Sequence, residues 1–383
     1  MSRKFYKIFL VAGEPSGDFI GGKLLSALKG TDEQFQFMGV GGDQMVREGL
    51  EEVLPFSDFS IMGIFENIPK AYQLYKHVQH LKERILKEKP DLLITIDFPG
   101  FNFRLGKTLK DSGVPHLHYV GPTVWAWRPW RAKTVSRFLK HLCVLFPFEP
   151  PYFEKHGLPT SFVGHPLMEE ALDTGNANRF RKAHKIPKSK EVLLFLPGSR
   201  RGELSQHMDV FQEVSHKLVE KGRNIQIVIP TLESMKPLIP EEGWGAPVTF
   251  VTDTAEKQDA YAASNLALAA SGTIALELAL AKVPMIITYK AKALSAWLVR
   301  RLIKIPYACM INILLKRQVI PELIQEECRA DLLTKEILAL MKNERLREKQ
   351  FRAFDAVERK LSPEGKKPSE AAADVVMKLL RGE

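Results

Sequence analysis

The chain has 383 residues, a size that favours two domains, each with its own hydrophobic core. Hydrophobic residues make up 45% and charged residues 26%, which excludes a disordered protein. The cysteines, Cys143, Cys309 and Cys328, are far apart and form no CxxC pair. This spacing excludes a disulfide framework and indicates a reducing, cytoplasmic compartment.

The net charge of +10 is concentrated in two stretches. Residues 290–317 contain seven Lys or Arg and no acidic residue, and residues 104–140 contain eight against Asp111 alone. Such clusters attract nucleic acid, phosphorylated substrates or anionic lipid, and a solvated basic face explains them equally well. The apolar stretch 266–288 includes Glu277 and Lys282, so we predict a buried strand and helix there and no membrane span.

Short apolar runs alternate with amphipathic segments in both halves of the chain. The first half has predicted strands over residues 7–12, 35–40, 92–96, 116–119, 141–145 and 161–163, with helices over 21–29 and 71–89. The second half has predicted strands over 192–196, 225–229, 248–251, 266–270 and 285–289, with helices over 206–221 and 273–281. This alternation predicts an α/β protein with two Rossmann-like, doubly wound domains.

The predicted boundary between the domains lies near residues 166–187, where polar and small residues cluster. We place the N-terminal domain at residues 1–168 and the second domain at 169–345. Residues 334–359 have a charged helical pattern, and a last helix is predicted over about 369–380.

Ligands of open parallel sheets bind at the carboxyl ends of the strands, which here selects four loops. In the first loop, Glu14, Ser16 and Asp18 follow the first strand and precede a helix. A sugar or a phosphate could bind there, and a simple capped turn is the alternative.

In the second loop, Asp97 directly follows the strand at 92–96 and precedes a Pro-Gly pair. Partial burial at the rim of a sheet would raise the pKa of this carboxyl, which makes Asp97 a candidate general base for a sugar hydroxyl. A helix cap or turn former is an equally good interpretation of the spacing alone.

The third and fourth loops lie in the second domain. Gly198, Ser199, Arg200 and Arg201 combine a flexible turn with arginines at a helix start, as a diphosphate requires. A surface turn with solvated arginines is the alternative.

In the fourth loop, Ser271, Gly272 and Thr273 also precede a helix, and Glu277 lies one turn further on the same face. There the helix end could meet phosphates while the carboxylate holds a ribose; a buried, capped helix is the alternative. Because the sequence contains no DxD or HExxH motif, we predict no metal and no other cofactor.

Taken together, these loops resemble the lipid-A-disaccharide synthase family. The motifs that carry the resemblance are AGEPSGD at 12–18, GVGG at 39–42, MG at 62–63, IDFPGFN at 96–102, VWAWR at 124–128, FVGHP at 162–166, LPGSR at 196–200, SGT at 271–273 and the stretch 312–321. In this order and spacing they span nearly the whole chain.

The resemblance implies an inverting glycosyltransferase of the GT-B type, with its two domains facing across a cleft. It would transfer 2,3-diacylglucosamine from UDP-2,3-diacylglucosamine to lipid X, which is 2,3-diacylglucosamine 1-phosphate. The products would be UDP and a β(1→6) lipid A disaccharide 1-phosphate. Asp97 matches the essential aspartate of the family, and Asn312 joins the predicted UDP site by resemblance alone. Helices over residues 346–383 would return to the N-terminal domain, and their exchange between subunits could form a homodimer.

Diacylated substrates place the enzyme at the inner face of the inner membrane, as a peripheral protein bound to anionic lipid. Ile64, Phe65, Ile68 and Tyr72 are the predicted membrane contacts, and we assign the following helical stripe of Leu74, Tyr75, Val78 and Ile85 to the core. A second candidate is the basic and aromatic stretch 293–317. No nucleic-acid motif accompanies it.

Two alternatives remain at this point. A UDP-N-acetylglucosamine epimerase has the same kind of fold, and a non-catalytic nucleotide-sugar or lipid sensor would keep the binding loops without the chemistry.

Overall fold

The computed structural model describes residues 4–60, 68–291, 305–363 and 365–383, apart from the side chains of residue 60 and residues 68–71. The chain forms two compact units. Unit 1 comprises Met1–Glu169 and Leu361–Glu383, and unit 2 comprises Glu170–Lys360. The domain boundary predicted after residue 168 lies beside Glu169, the last residue of the first segment of unit 1.

Unit 1 is built on a seven-stranded parallel sheet with the order β3-β2-β1-β4-β5-β6-β7. Its strands are β1 (Phe5–Ala12), β2 (Gln34–Val40), β3 (Leu50–Glu52), β4 (Leu92–Ile96), β5 (His116–Tyr119), β6 (His141–Val144) and β7 (Thr160–Phe162). The helices between them are α1 (Pro15–Lys29), α2 (Asp43–Arg47), α3 (Ser57–Ser60), α4 (Ile68–Glu88), α5 (Pro99–Thr108), α6 (Trp130–Val135) and α7 (Pro150–Glu154). Helices on both faces bury all of β4 and residues 8–12 of β1, which explains why these segments are almost entirely apolar.

Unit 2 repeats this architecture with a six-stranded parallel sheet of order β10-β9-β8-β11-β12-β13. Its strands are β8 (Glu191–Leu196), β9 (Ile225–Pro230), β10 (Val248–Val251), β11 (Leu266–Ala270), β12 (Met285–Tyr289) and β13 (Glu322–Ile324). Its helices are α8 (Ala177–Ala183), α9 (Arg201–Glu220), α10 (Thr254–Ala263), α11 (Ile274–Leu280), α12 (Met310–Leu315), α13 (Ala330–Lys342) and α14 (Glu344–Leu361). The predicted fold class, two doubly wound α/β domains, is confirmed.

The C-terminal helices are divided between the units, which corrects the prediction that residues 346–383 all pack on the N-terminal domain. The buried amide of Gln350 in α14 donates to Met285 O at 3.0 Å and accepts from Met285 N at 2.8 Å, so α14 is held on unit 2. The last helix, α15 (Pro368–Arg381), packs against α1 in unit 1 through Val376 and Met377.

Every predicted strand is present, and two three-residue strands, β3 and β13, were not predicted. The first helix begins at Pro15, six residues before the predicted start at residue 21. Gly21 and Gly22 lie inside α1 despite their low helix propensity, because α2 packs closely there. A Cβ on Gly21 would lie 2.4 Å from Met45 Sδ.

Candidate functional site

Asp97 occupies the turn between β4 and α5 in unit 1, with its side chain half-buried. Burial raises the pKa of this carboxyl, and bonds from the Phe98 backbone and the Ser16 hydroxyl offset only part of the rise. Ser16 Oγ lies 3.4 Å from Asp97 Oδ2. The arrangement leaves a carboxylate with few donors and a raised proton affinity, which are the properties of a general base.

The turn that presents Asp97 has an unusual backbone. Asp97 and Phe98 have φ angles of 49° and 48°, in the left-handed region that costs a non-glycine residue about 1–3 kcal/mol. Asn102 Nδ2 stabilises the turn by donating to Asp97 O at 2.8 Å and Ile96 O at 3.2 Å. The glycine at position 13 leaves space for the Phe98 ring of this turn, because a Cβ at Gly13 would lie 2.4 Å from Phe98 Cδ1. Strain held in this way often accompanies a functional site.

The first predicted loop divides into two roles. Ser16 is exposed beside Asp97, and Glu14 is the residue that precedes α1. Asp18, predicted as a sugar contact, is instead buried and accepts hydrogen bonds from Gln44 N and Met45 N, both at 3.0 Å. Its carboxylate caps the start of α2, so both of its oxygens are engaged by the backbone in the interior of unit 1.

In unit 2, the third and fourth loops lie together around a cavity of about 530 Å³. The cavity is at the carboxyl ends of β8, β9, β10 and β11, where a ligand of an open parallel sheet is expected. Of the predicted UDP contacts, those that line it are Gly198, Ser199, Arg200, Ser271, Gly272, Thr273 and Glu277. The structure therefore brings together two loops that are about 70 residues apart in the sequence.

The α9 side of the cavity combines opposite charges. Glu203 accepts a hydrogen bond from Ser199 N at 3.0 Å and pairs with Arg200 at 3.3 Å, while the Arg200 side chain remains 83% exposed. Arg201 is exposed and is not among the residues that line the cavity. The positive charge available to a ligand here is therefore that of Arg200.

The opposite wall holds a charge network that the sequence did not indicate. Lys257 Nζ donates to Glu277 Oε2 at 2.5 Å, and Tyr261 Oη donates to the same oxygen at 3.2 Å. Burial and the Glu277 charge raise the pKa of Tyr261, which keeps its hydroxyl protonated. Glu277 thus faces the cavity with one oxygen already engaged.

Further lining residues come from the ends of β9 and β10, from the turns after these strands and from the start of α10, and sequence reasoning missed them. They are Pro230, Thr231, Leu232, Val251, Thr252, Asp253, Thr254 and Lys257. These turns carry no glycine or arginine motif. The sequence did place these turns directly after predicted strands, and that position alone could have indicated a contribution to the ligand site.

Asn312, predicted to contact UDP, does not line the cavity and is completely buried. Its Nδ2 donates to Ile320 O at 2.9 Å and to Glu322 Oε1 at 2.5 Å, and its Oδ1 accepts from the backbone N–H groups of Val319 and Ile320. The side chain therefore links α12 to the segment that leads into β13.

Of the predicted membrane contacts, Ile64 and Phe65 lie outside the described residues, as does the side chain of Ile68. Tyr72 is 62% exposed near the start of α4, with Lys76 Nζ 4.6 Å from its ring centroid. Tyr75, predicted to be in the core, is 60% exposed, whereas Val78 and Ile85 are buried as predicted. Residues 293–304 of the second candidate also lie outside the described residues.

Two structural features are absent from the described ranges. No helix within them is long and apolar enough to cross a membrane. They also contain no group of three or more His, Cys, Asp or Glu side chains arranged to hold a metal ion.

Solved structures share this architecture over almost the full chain. A UDP-N-acetylglucosamine 2-epimerase described as putative, from Listeria monocytogenes, superposes with a TM-score of 0.66 at 14% identity and covers 98% of this chain and 96% of its own. A glycosyltransferase from Rickettsia africae superposes with a TM-score of 0.59 at 14% identity and covers 99% of both chains. The two Rossmann-like units therefore define a GT-B fold, which glycosyltransferases and epimerases share.

Sequence similarity then specifies the family. Residues 8–376 match the sequence model of the lipid-A-disaccharide synthetase family. A lipid-A-disaccharide synthase from Rhodospirillum centenum is 42% identical over 378 residues, covering 97% of this chain and 94% of that protein. The chain belongs to the lipid-A-disaccharide synthetase family and is a glycosyltransferase.

Proposed function

We propose that the chain transfers 2,3-diacylglucosamine from UDP-2,3-diacylglucosamine to lipid X, forming the β(1→6) disaccharide 1-phosphate and releasing UDP. Membership of the family over residues 8–376 supports this reaction in preference to epimerisation. The observation that carries the chemistry is the half-buried carboxylate of Asp97, with its raised pKa, at the carboxyl end of β4.

In the proposed reaction, Asp97 accepts the proton of the acceptor 6-hydroxyl while that oxygen attacks C1 of the donor sugar. The new C1–O6 bond forms as the bond from C1 to the diphosphate oxygen breaks, and the configuration at C1 inverts. The electron pair leaves with UDP. The raised pKa of Asp97 increases its affinity for the proton. Ser16, 3.4 Å away, orients the carboxylate.

We propose that the cavity of unit 2 binds the UDP part of the donor. Its volume of about 530 Å³ suits a ligand of that size. Arg200 would contact the diphosphate, whose oxygens match the guanidinium fork, and Lys257 would add positive charge from the facing wall. Glu277 has its second carboxylate oxygen available for ribose hydroxyls. The proposal includes no metal ion or other cofactor.

Synthesis of the product by purified protein tests the reaction. Wild type incubated with both substrates should form the disaccharide 1-phosphate and UDP, detected by mass spectrometry. Asp97→Asn should lower kcat about 100- to 10,000-fold with unchanged UDP affinity, because general-base catalysis contributes about that much. Since the base acts deprotonated, kcat/KM of wild type should fall as the pH decreases, with an apparent pKa above the ordinary value of 3.8.

Asp111→Asn changes an exposed carboxyl of the same unit and should retain full activity. An epimerase would convert the UDP-sugar without forming a disaccharide. A sensor would bind UDP equally well with Asp97 or Asn at this position and would form no product. Either outcome would contradict the proposal.

We further propose that the enzyme binds the cytoplasmic face of the inner membrane peripherally. The support is the chemistry of substrates with two acyl chains each, together with the exposed aromatic rings of Tyr72 and Tyr75 beside Lys76. Amphipathic aromatic rings near basic side chains suit the interface of an anionic bilayer.

Serine substitution of Ile64, Phe65, Ile68 and Tyr72 together should weaken binding to phosphatidylglycerol vesicles at least about 10-fold, because it removes apolar area from the interface. Co-sedimentation measures the change, and UDP affinity should stay constant. Gln73→Ser, an exposed neighbour in α4, is the matched control. Equal vesicle binding by the fourfold variant and wild type would place the membrane contact elsewhere.

A further inference from the structure

Arg128, in the loop between β5 and α6, and Arg131, in the first turn of α6, lie against the ring of Trp127. The Arg128 guanidinium carbon is 4.2 Å from the centroid of the Trp127 ring, and that of Arg131 is 5.6 Å from the same centroid. Both distances are within the range of cation–π attraction, which favours guanidinium over ammonium. The ring therefore holds two like charges near each other.

The scaffold beneath these arginines is fixed by hydrogen bonds. Trp127 Nε1 donates to Thr123 Oγ1 at 3.1 Å, and Trp127 N donates to Thr123 O at 3.2 Å. Trp125, two residues earlier, donates from Nε1 to the buried Glu149 at 3.0 Å. Arg128 itself has a φ of 53°, a left-handed conformation that is costly for arginine. The loop is thus held in one conformation with both guanidinium groups on the same ring.

The charge of this pair is not neutralised within the described part of the chain. Arg128 and Arg131 form no ion pair with any described carboxylate. Burial, and then the Arg128 charge, lowers the pKa of Arg131, with no acidic group opposing the shift. Two guanidinium groups that share a ring and lack a carboxylate suit a doubly charged anion, because one phosphate can accept hydrogen bonds from both.

We propose that Arg128 and Arg131, held on Trp127, bind the phosphate monoester of the acceptor sugar. This inference rests on the proposed function, which supplies a phosphorylated acceptor. The loop follows β5, the neighbour of β4, and Asp97 N donates to Tyr119 O at 2.8 Å. The arginine pair and Asp97 therefore follow adjacent strand ends of one sheet, with both sites in unit 1.

In this proposal, different protein groups contact the two ends of the acceptor. Asp97 acts on the reacting hydroxyl, while the arginine pair recognises the phosphate and so selects phosphorylated over unphosphorylated sugar. The loss of bonds to a charged phosphate should appear in KM for the acceptor, because the phosphate takes no part in bond making or breaking.

The test compares two acceptors in detergent micelles, 2,3-diacylglucosamine 1-phosphate and 2,3-diacylglucosamine without the phosphate. For the double variant Arg128→Gln with Arg131→Gln, KM for the phosphorylated acceptor should rise about 10- to 100-fold, the usual effect of losing charge-assisted bonds. KM for the unphosphorylated acceptor and for the donor should not change. Arg137→Gln removes an exposed arginine just beyond α6 and is the matched control.

Other outcomes separate the possible sources of phosphate. If the wild type forms product and the double variant has the same preference for the phosphorylated acceptor, this site is overturned and the proposed function stays intact. Loss of binding to phosphatidylglycerol vesicles without loss of that preference would assign the arginines to lipid headgroups and overturn the inference. If the wild type forms no product with either acceptor, the result contradicts both the proposed function and this phosphate site.

Discussion

Asp97 and Glu149 are carboxyl groups on the same edge of the first sheet, and their surroundings give them different roles. Asp97 is half-buried, with the Ser16 hydroxyl as a side-chain donor. Glu149 is buried and accepts from Trp125 Nε1 and from the backbone N–H groups of Leu145 and Phe146. Asp97 is therefore partly accessible to solvent, whereas Glu149 is buried and joins the loop of Trp125 to residues 145 and 146.

Burial raises the pKa of Glu149 to about 7 despite its three donors. Because this folded-state value exceeds the ordinary 4.5, the unfolded chain releases the proton first as the pH rises. The free energy of unfolding should therefore decrease between about pH 4.5 and 7, by up to about 3 kcal/mol. Glu149→Gln should abolish this part of the pH dependence and cost about 1–3 kcal/mol, because its amide NH₂ leaves a buried donor unsatisfied.

Urea denaturation at pH 5 and pH 8 measures both effects. Glu154→Gln, an exposed substitution in α7, should retain the pH dependence of wild type. An identical pH dependence in Glu149→Gln and wild type would contradict the assignment.

Among the elements, the start of α9 has the clearest link to function. The helix begins at Arg201, five residues before the predicted range 206–221 and at the arginine pair that the third loop placed at a helix start. Arg200 is therefore at the cap position and lines the cavity, whereas Arg201 is in the first turn and does not. The buried His207 supports the arrangement, because its Nδ1 donates to Pro197 O at 2.8 Å while Nε2 accepts from Lys290 N at 2.9 Å.

The two adjacent arginines should therefore differ in their effect on UDP. Arg200→Gln should weaken UDP affinity about 10- to 100-fold, since a guanidinium–phosphate bond contributes about 1.5–3 kcal/mol. Arg201→Gln should change it less than about threefold. Isothermal titration with UDP measures both variants, and equal losses would show that both arginines contact the diphosphate.

At the scale of the whole molecule, both ends of the chain build unit 1. The last helix, α15, covers α1, and its first turn is tied to the end of the first segment. Ser369 N and Oγ donate to Glu169 at 2.7 and 2.8 Å. The hydrophobic core of unit 1 is therefore complete only with the C-terminal helix in place.

Substitution within α15 should destabilise unit 1. Val376→Ser removes a buried side chain from the α1 contact and should lower the free energy of unfolding by about 1–3 kcal/mol. Lys378→Ser, exposed on the same helix, should be nearly neutral. Urea denaturation followed by tryptophan fluorescence compares them. Unit 1 contains Trp125, Trp127 and Trp130, and equal midpoints for the two variants would contradict the role of α15.

The amino-acid sequence by itself determined every strand longer than three residues, the two parallel sheets and the loops at their carboxyl ends, because periodicity and turn residues act over a few positions. Only the tertiary structure decided which polar side chains are available to a ligand. Asp18 bonds to backbone groups near residue 45, and Gln350 bonds to Met285. A buried polar group takes whichever partner the packed fold brings to it, however distant in the sequence, and local pattern does not encode that choice.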